Sequence, residues 1–544
     1  MALQMIAPFL SSFLPNPRHR LAAHGLTHQK CVSKHISCST TTPTYSTIVP
    51  RRSGNYKPSI WDYDFVQSLG SGYKVEAHGT RVEKLKEVVK HLLKETDSSL
   101  AQIELIDKLH RLGLRWLFEN EIKQVLYTIS SDNTSIEMRK DLHAVSTRFR
   151  LLRQHGYKVS TGETVLDEAR AFASTHLMDI KENIDPILHK KVEYALDMPL
   201  HWRLEKLEAR WYMDIYMREE GMNSSLLELA KLHFNIVQTT FQTNLKSLSR
   251  WWKDLGLGEQ LSFTRDRLVE CFFWAAAMTP EPQFGRCQEA VAKVAQLIII
   301  IDDIYDVYGT VDELELFTNA IDRWDLEAME QLPEYMKTCF LALYNSINEI
   351  GYEILKEEGR NVIPYLRNTW TELCKAFLVE AKWYSSGYTP TLEEYLQTSW
   401  ISIGSLPMQT YVFALLGKNL APESSDFAEK ISDILPLGGM MIRLPDDLGT
   451  STRMFSRPHN GSISRDMEKL NEYLLEVLFP CLYRSCYESW TCRLLHLQHG
   501  DGFSDGFGDP GSQEKKMFMS LFAEPPSVDE AKGISFYVDV DLPD

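Results

Sequence analysis

Val294–Tyr308 reads VAQLIIIIDDIYDVY, and this stretch decides the fold. Leu297, Ile298, Ile299, Ile300 and Ile301 are apolar on every side of a helix, so the helix that carries them is expected to be buried all round. Asp302, Asp303 and Asp306 follow at once. Asp302 and Asp306 are four apart and share one face of an α-helix. Carboxylates entering an apolar interior are costly unless they are paired or hold a metal. Two hard oxygen ligands on one face suit Mg²⁺, which takes a few carboxylates and completes its shell with water and phosphate oxygens. A solvated acidic helix end is the competing reading of this segment alone.

Outward from this helix the periodicity stays helical. Val82, Leu85, Val88, Val89, Leu92 and Leu93 keep the three-and-four spacing of one face, and Leu343, Ile347, Ile350 and Ile354 repeat it. Strict alternation is confined to Ile534–Val540. The expected class is all-α. A junction is expected at Glu219–Ser225, which interrupts two helical stretches, and a Gly/Asp-rich loop at Asp501–Gly511. The division read from these breaks is 1–50, 51–222 and 223–544.

The chain has 544 residues and a net charge of −16. That balance opposes nucleic-acid binding, which needs a basic surface. An anionic ligand would have to be held by recruited cations, as metal ions or local arginines. No apolar run reaches the roughly 20 residues of a membrane span. Nine scattered cysteines lack metal-site spacing and read as reduced thiols. The first fifty residues contain no Asp or Glu, carry Arg18, Arg20, Lys30 and Lys34, and are rich in Ser and Thr. This is the composition of an organellar transit peptide.

Two further clusters carry chemistry. Arg443, Asp446, Asp447 and Thr450 lie close together. On a helix, Arg443, Asp446 and Thr450 would present a guanidinium, a carboxylate and a hydroxyl on one face. Oxygens of that kind hold Mg²⁺, and arginine forks onto phosphate. Arg265 and Arg267 flank Asp266 and, from a loop, would clamp an anion together.

With these pieces in order, the chain resembles the plant class I terpene synthases, in particular those that make monoterpenes from geranyl diphosphate. The likeness rests on Arg51-Arg52 with eight residues before Trp61, on Arg265-x-Arg267, on Asp302-Asp303-x-x-Asp306, and on Arg443 ahead of Asp446-Asp447-Leu448-x-Thr450. It covers most of the chain after residue 50. The resemblance implies two α-helical domains, the first barrel-like and the second catalytic. It implies Asp302, Asp306, Asp446 and Thr450 as metal ligands, with Asp303 in support. Arg265 and Arg443 would bind diphosphate, and Trp274 would line the hydrocarbon pocket. Arg51 and Arg52 match a pair tied to isomerisation and closing of the site. Three Mg²⁺ ions are implied, with Mn²⁺ as a substitute. So are a prenyl diphosphate substrate, a plastid stromal location and a monomer. Phe377, Tyr384, Trp400 and Tyr411 are further aromatic candidates, for which core packing is the favoured reading, and Gly404 is expected to break a helix near the pocket.

The chain also departs from the family. Met454 stands where the pattern has a Glu, and a thioether does not replace a carboxylate on Mg²⁺. Arg453–Leu495 reads unlike the family, and the stretch after His155 is short. Weak or absent turnover is the expected consequence. A sesquiterpene synthase using farnesyl diphosphate, or a non-catalytic helical relative, are the alternatives.

Overall fold

The computed structural model describes residues 51–528, apart from short breaks and the longer stretches 132–140, 417–434 and 448–514. The leader, Thr450, Met454, Arg453–Leu495, the loop at Asp501–Gly511 and the alternating Ile534–Val540 lie outside the described residues. Among the described residues there is no strand, and no helix is long and apolar enough to cross a membrane.

The first half is built from α1 (Tyr63–Ser68), α2 (Val75–Glu95), α3 (Ser99–Arg111), α4 (Glu119–Ser131), α5 (Leu142–Gln154), α6 (Glu163–Ile180), α7 (Pro186–Asp197) and α8 (Glu205–Tyr216). The expected face of α2 is nearly right: Val82, Leu85, Val89 and Leu93 are buried. Val88 is the exception and faces outward, because α2 is covered over a narrower arc than the apolar positions span. On α6 and α7, Phe172, Met178, Ile180 and Leu188 are left exposed.

The chain turns after α8, and Asn223 caps the next helix by accepting from the Leu226 amide at 3.0 Å. That helix, α9 (Ser224–Leu255), ends on Gly256 in the left-handed conformation. It packs against α1, α2 and α8 on one side and the second half on the other.

The second half comprises α10 (Leu268–Met278), α11 (Gly285–Asp303), α12 (Val311–Arg323), α13 (Glu334–Glu358), α14 (Ile363–Ser386), α15 (Leu392–Ser402) and α16 (Ser405–Leu416). As the apolar run requires, α11 is the central helix. Leu297, Ile299, Ile300 and Ile301 are buried, and α9, α10, α13 and α16 surround it. Segment 515–528 returns to α9, where Gln238 and Gln242 donate to the Leu521 and Phe522 carbonyls at 3.1 and 2.6 Å. The four described cysteines, Cys271, Cys287, Cys339 and Cys374, are buried free thiols.

The break expected at Gly404 separates α15 from α16. Gly404 has φ +78°, and a Cβ there would sit 2.9 Å from Cγ2 of Ile298. Both the backbone conformation and the approach to α11 exclude a side chain. Gly404→Ala is expected to cost more than about 1 kcal/mol, read as a lowered thermal midpoint. An unchanged midpoint would show that the helix break tolerates a side chain.

Candidate active site

The apolar helix α11 delivers its acids to one end, but not in plain α-helical register. From Ile304 to Tyr308 the chain forms a π-helical turn, closed by the Gly309 amide donating to the Ile304 carbonyl at 2.8 Å. Such turns insert one extra residue and re-aim side chains, commonly at functional sites. Asp302 lies in the last turn of the α-helix and Asp306 on the π-turn that follows, where Asp302 is the first charge acting on it. Asp306 is set by the widened turn.

Asp303 is fully buried and acts as a clamp. It accepts from the Arg265 backbone amide at 2.7 Å and from Arg265 Nε at 2.9 Å. The same guanidinium reaches Asp302 Oδ2 at 2.5 Å. The loop that carries Arg265 is fixed from α11 by Gln296. This buried amide accepts from the Arg267 amide at 2.9 Å and donates to the Arg265 carbonyl at 3.0 Å. Sequence reading did not single out Gln296. Its signal was a lone amide inside an apolar helix.

The two guanidinium groups take different partners. Arg265 turns to Asp302 and Asp303, whereas Arg267 Nη1 donates to the Asp266 carbonyl at 2.9 Å. Glu270, buried on α10 close to Arg267, is pushed up to about 7 by burial. Trp274 follows on the same helix, half-buried, with its indole N–H enclosed and without a protein acceptor.

The second cluster lies on helical residues 438–444 and 446–447. Arg443 pairs with Asp447, and its Nε donates to the Tyr395 hydroxyl at 2.9 Å. Tyr395 in turn donates to Asp447 Oδ2 at 2.7 Å. Of the expected face of Arg443, Asp446 and Thr450, the first two are described, and Asp447 joins them. With four-residue spacing, Asp447 is the acid that meets the guanidinium. Asp446 is buried beside it.

Glu380 on α14 joins the two clusters. It accepts from Ser402 Oγ at 2.7 Å. Its carboxyl is raised by burial, is held down by Arg443, and feels both Asp302 and Asp447. Asp306 is raised well above the usual carboxylate range by burial, then by Asp302 and Glu380. Asp306 nonetheless keeps open surface, so it is surrounded by protein and still reachable by small ligands. Sequence reading missed Glu380, though a single acid in the apolar run Phe377–Ala381 was a visible cue.

The aromatic candidates divide. Tyr411 is a core residue that accepts from Trp370 Nε1 at 3.0 Å. Phe377 is buried against Tyr305, ring centroids 5.5 Å apart, and Trp400 is half-buried. Tyr384 is exposed and receives Arg52, whose guanidinium sits 4.8 Å from the ring centroid.

Burial pushes Asp303, Asp306, Glu380 and Asp447 all toward their protonated forms. The arginines only partly offset this. The donor set is all oxygen and short of positive charge, which fits a hard divalent cation. Among the described residues, no three His, Cys, Asp or Glu side chains already converge on one point. The carboxylates of Asp302 and Asp447 are instead held by arginine.

Residues 253–474 match the model of the terpene synthase family, metal binding domain, and residues 60–162 match the terpene synthase N-terminal domain. A chloroplastic geraniol synthase of Cinnamomum tenuipile is 82% identical, with 99% of each chain covered. That match runs over 599 positions, 55 more than the 544 residues here, which accords with a shortened chain. A limonene synthase crystal structure with 2-fluorolinalyl diphosphate superposes with TM-score 0.76 at 36% identity, covering 88% of this chain and 100% of that one. Isoprene synthase from Populus x canescens, solved with three Mg²⁺ ions and dimethylallyl-S-thiolodiphosphate, gives 0.73 at 36% identity, covering 86% and 99%. The two-domain helical fold, the acid-and-arginine site and this extent of identity make the chain a member of the terpene synthase family.

Proposed function

We propose that the protein is a monoterpene synthase that ionises geranyl diphosphate and releases an acyclic ten-carbon alcohol, geraniol. The observation that carries the site is the placement of Glu380 between the Asp302/Asp306 end and the Arg443/Asp447 end. Two oxygen-rich motifs, distant in sequence, thereby face one region. The choice of substrate and product rests on the 82% identity to a geraniol synthase.

Asp302, Asp306 and Asp446, with Glu380 beside them, would hold Mg²⁺, three ions as in the isoprene synthase complex, or Mn²⁺ in its place. Bound metal would neutralise the departing diphosphate. Arg265 and Arg443 are already charged and aimed at the carboxylates, so diphosphate oxygens would compete for them as the leaving group develops charge. The C1–O bond breaks with its electron pair on diphosphate. Water then adds to C1 of the allylic cation and loses a proton, giving the alcohol. Trp274 would offer its face to the cation, a contribution of about 0.5–2 kcal/mol. Division at residues 50 and 222, import into the plastid stroma and a monomeric state belong to the same reading.

Gas chromatography of products from the purified protein, Mg²⁺ and geranyl diphosphate tests this, with farnesyl diphosphate in parallel. A ten-carbon alcohol is expected, at low turnover because Met454 replaces an oxygen ligand. Fifteen-carbon products alone would overturn the substrate assignment. Met454→Glu by itself is expected to leave turnover within about threefold of the parent, since the flanking segment also departs from the family. Full family-like activity from that one change would show that the flank matters little.

A further inference from the structure

We infer that Tyr56 is a positioning residue for diphosphate: its ring lies over Arg265 and orients that guanidinium toward the leaving group. The inference rests on the reading of the site given above, and it adds a residue that neither the metal motifs nor the tandem arginines include.

The segment from Arg51 to Trp61 crosses the site as a strap with both ends fastened. At one end, Arg51 forms a two-point pair with Glu313 at 2.5 and 2.7 Å and donates to the Tyr308 carbonyl at 3.0 Å. At the other, Trp61 packs on Phe518, centroids 4.1 Å apart. Between these anchors the backbone makes a turn suited to one side chain. Asn55 has φ +50°, an uncommon left-handed conformation for a residue with a Cβ. Ser53 Oγ accepts from the Asn55 amide at 3.2 Å. The Tyr56 ring folds back over Gly54, where a Cβ would lie 2.4 Å from Cζ of the ring. Glycine at 54 thus leaves room for the ring in this pose.

The turn sets the half-buried Tyr56 ring centroid 5.1 Å from Cζ of Arg265. The edges of that guanidinium are engaged by Asp302 and Asp303 at 2.5 and 2.9 Å. With the ring over the guanidinium carbon and carboxylates at its edges, the group is held from tilting away from Asp302 and Asp303. Held in this way, Arg265 can exchange Asp302 for a phosphate oxygen without leaving the site. The ring also shields the charge from water, which strengthens a cation–anion contact.

The test is calorimetric binding of inorganic pyrophosphate in Mg²⁺ buffer to the full chain, with thermal melting as a check on folding. Tyr56→Ala is expected to weaken binding about tenfold. Tyr56→Phe keeps the ring and should stay within about threefold of the parent. Gly54→Ala, which displaces the ring without deleting it, should fall between them, and it decides the matter if Tyr56→Ala fails to fold. A merely structural role would lower the melting midpoint without separating Phe from Ala in affinity. Equal affinity in the parent, Tyr56→Ala and Gly54→Ala would overturn the inference while leaving the site reading intact. A parent that does not bind pyrophosphate would overturn both.

Discussion

Asp306→Asn is expected to lower Mg²⁺-dependent pyrophosphate release by about a hundred- to a thousandfold, while leaving the metal-free fold at least as stable as the parent. Removing one element of preorganised electrostatic stabilisation typically costs 10²–10³ in rate, and Asp306 supplies it as a metal-binding oxygen. The stability half follows from its surroundings. The Asp306 carboxyl is raised by burial, then by the charges of Asp302 and Glu380. Without metal, its charge is a burden on the fold. Asparagine keeps the shape on the π-helical turn and removes the charge. Added Mg²⁺ should raise the melting midpoint of the parent more than that of the variant. Parental turnover in Asp306→Asn, or an equal response of both proteins to Mg²⁺, would remove Asp306 from the metal site.

Lys206→Met is expected to destabilise the protein by about 3–5 kcal/mol, the usual loss when one partner of a buried ion pair is removed. Lys206 Nζ lies 2.5 Å from Glu281 Oε1, and His233 Nε2 is 3.2 Å from the other oxygen. Lys206 and Glu281 are 5% and 1% exposed, so neither charge has water to fall back on. The pair ties α8 to the segment that starts α11, the helix that ends in Asp302. Burial alone would raise Glu281; Lys206 and then His233 outweigh it and hold the carboxyl at about 2. A depressed folded value stabilises the native state above the ordinary carboxyl value of 4.5 and loses that stabilisation as pH falls toward about 2. The deficit of Lys206→Met, measured by denaturant titration, should therefore be full at neutral pH and shrink below about pH 4.5. Lys206→Met combined with Glu281→Leu should lose less than Lys206→Met alone. A single variant within about 0.5 kcal/mol of the parent would show that the pair is not the fastening between these elements.

Much of the site was legible because its signals are local. Five apolar residues running into Asp302 mark a buried helix with acids at its end, and α11 is that helix. Gly404 was legible for a similar reason, since glycine between two helical patterns marks a break. The partner of Arg267 was not legible, because one intervening residue says nothing about direction. Gln296 fixes the loop backbone at both residues, and their guanidinium groups take different partners. Tyr384 was weighed between pocket lining and core packing on residue type alone, whereas the fold leaves it exposed under Arg52.

The sequence by itself determined the helical class, the burial of Val294–Ile301 and the residue types available for metal and diphosphate, because these depend on composition and on a 3.6-residue period within one segment. Only the tertiary structure decided that Asp303 serves Arg265, that Tyr395 joins Arg443 to Asp447, that Glu380 stands between the two motifs, and that Tyr56 covers an arginine far along the chain. Each of these is a contact between segments, fixed by which faces pack together, and the spacing within any one segment carries no record of it.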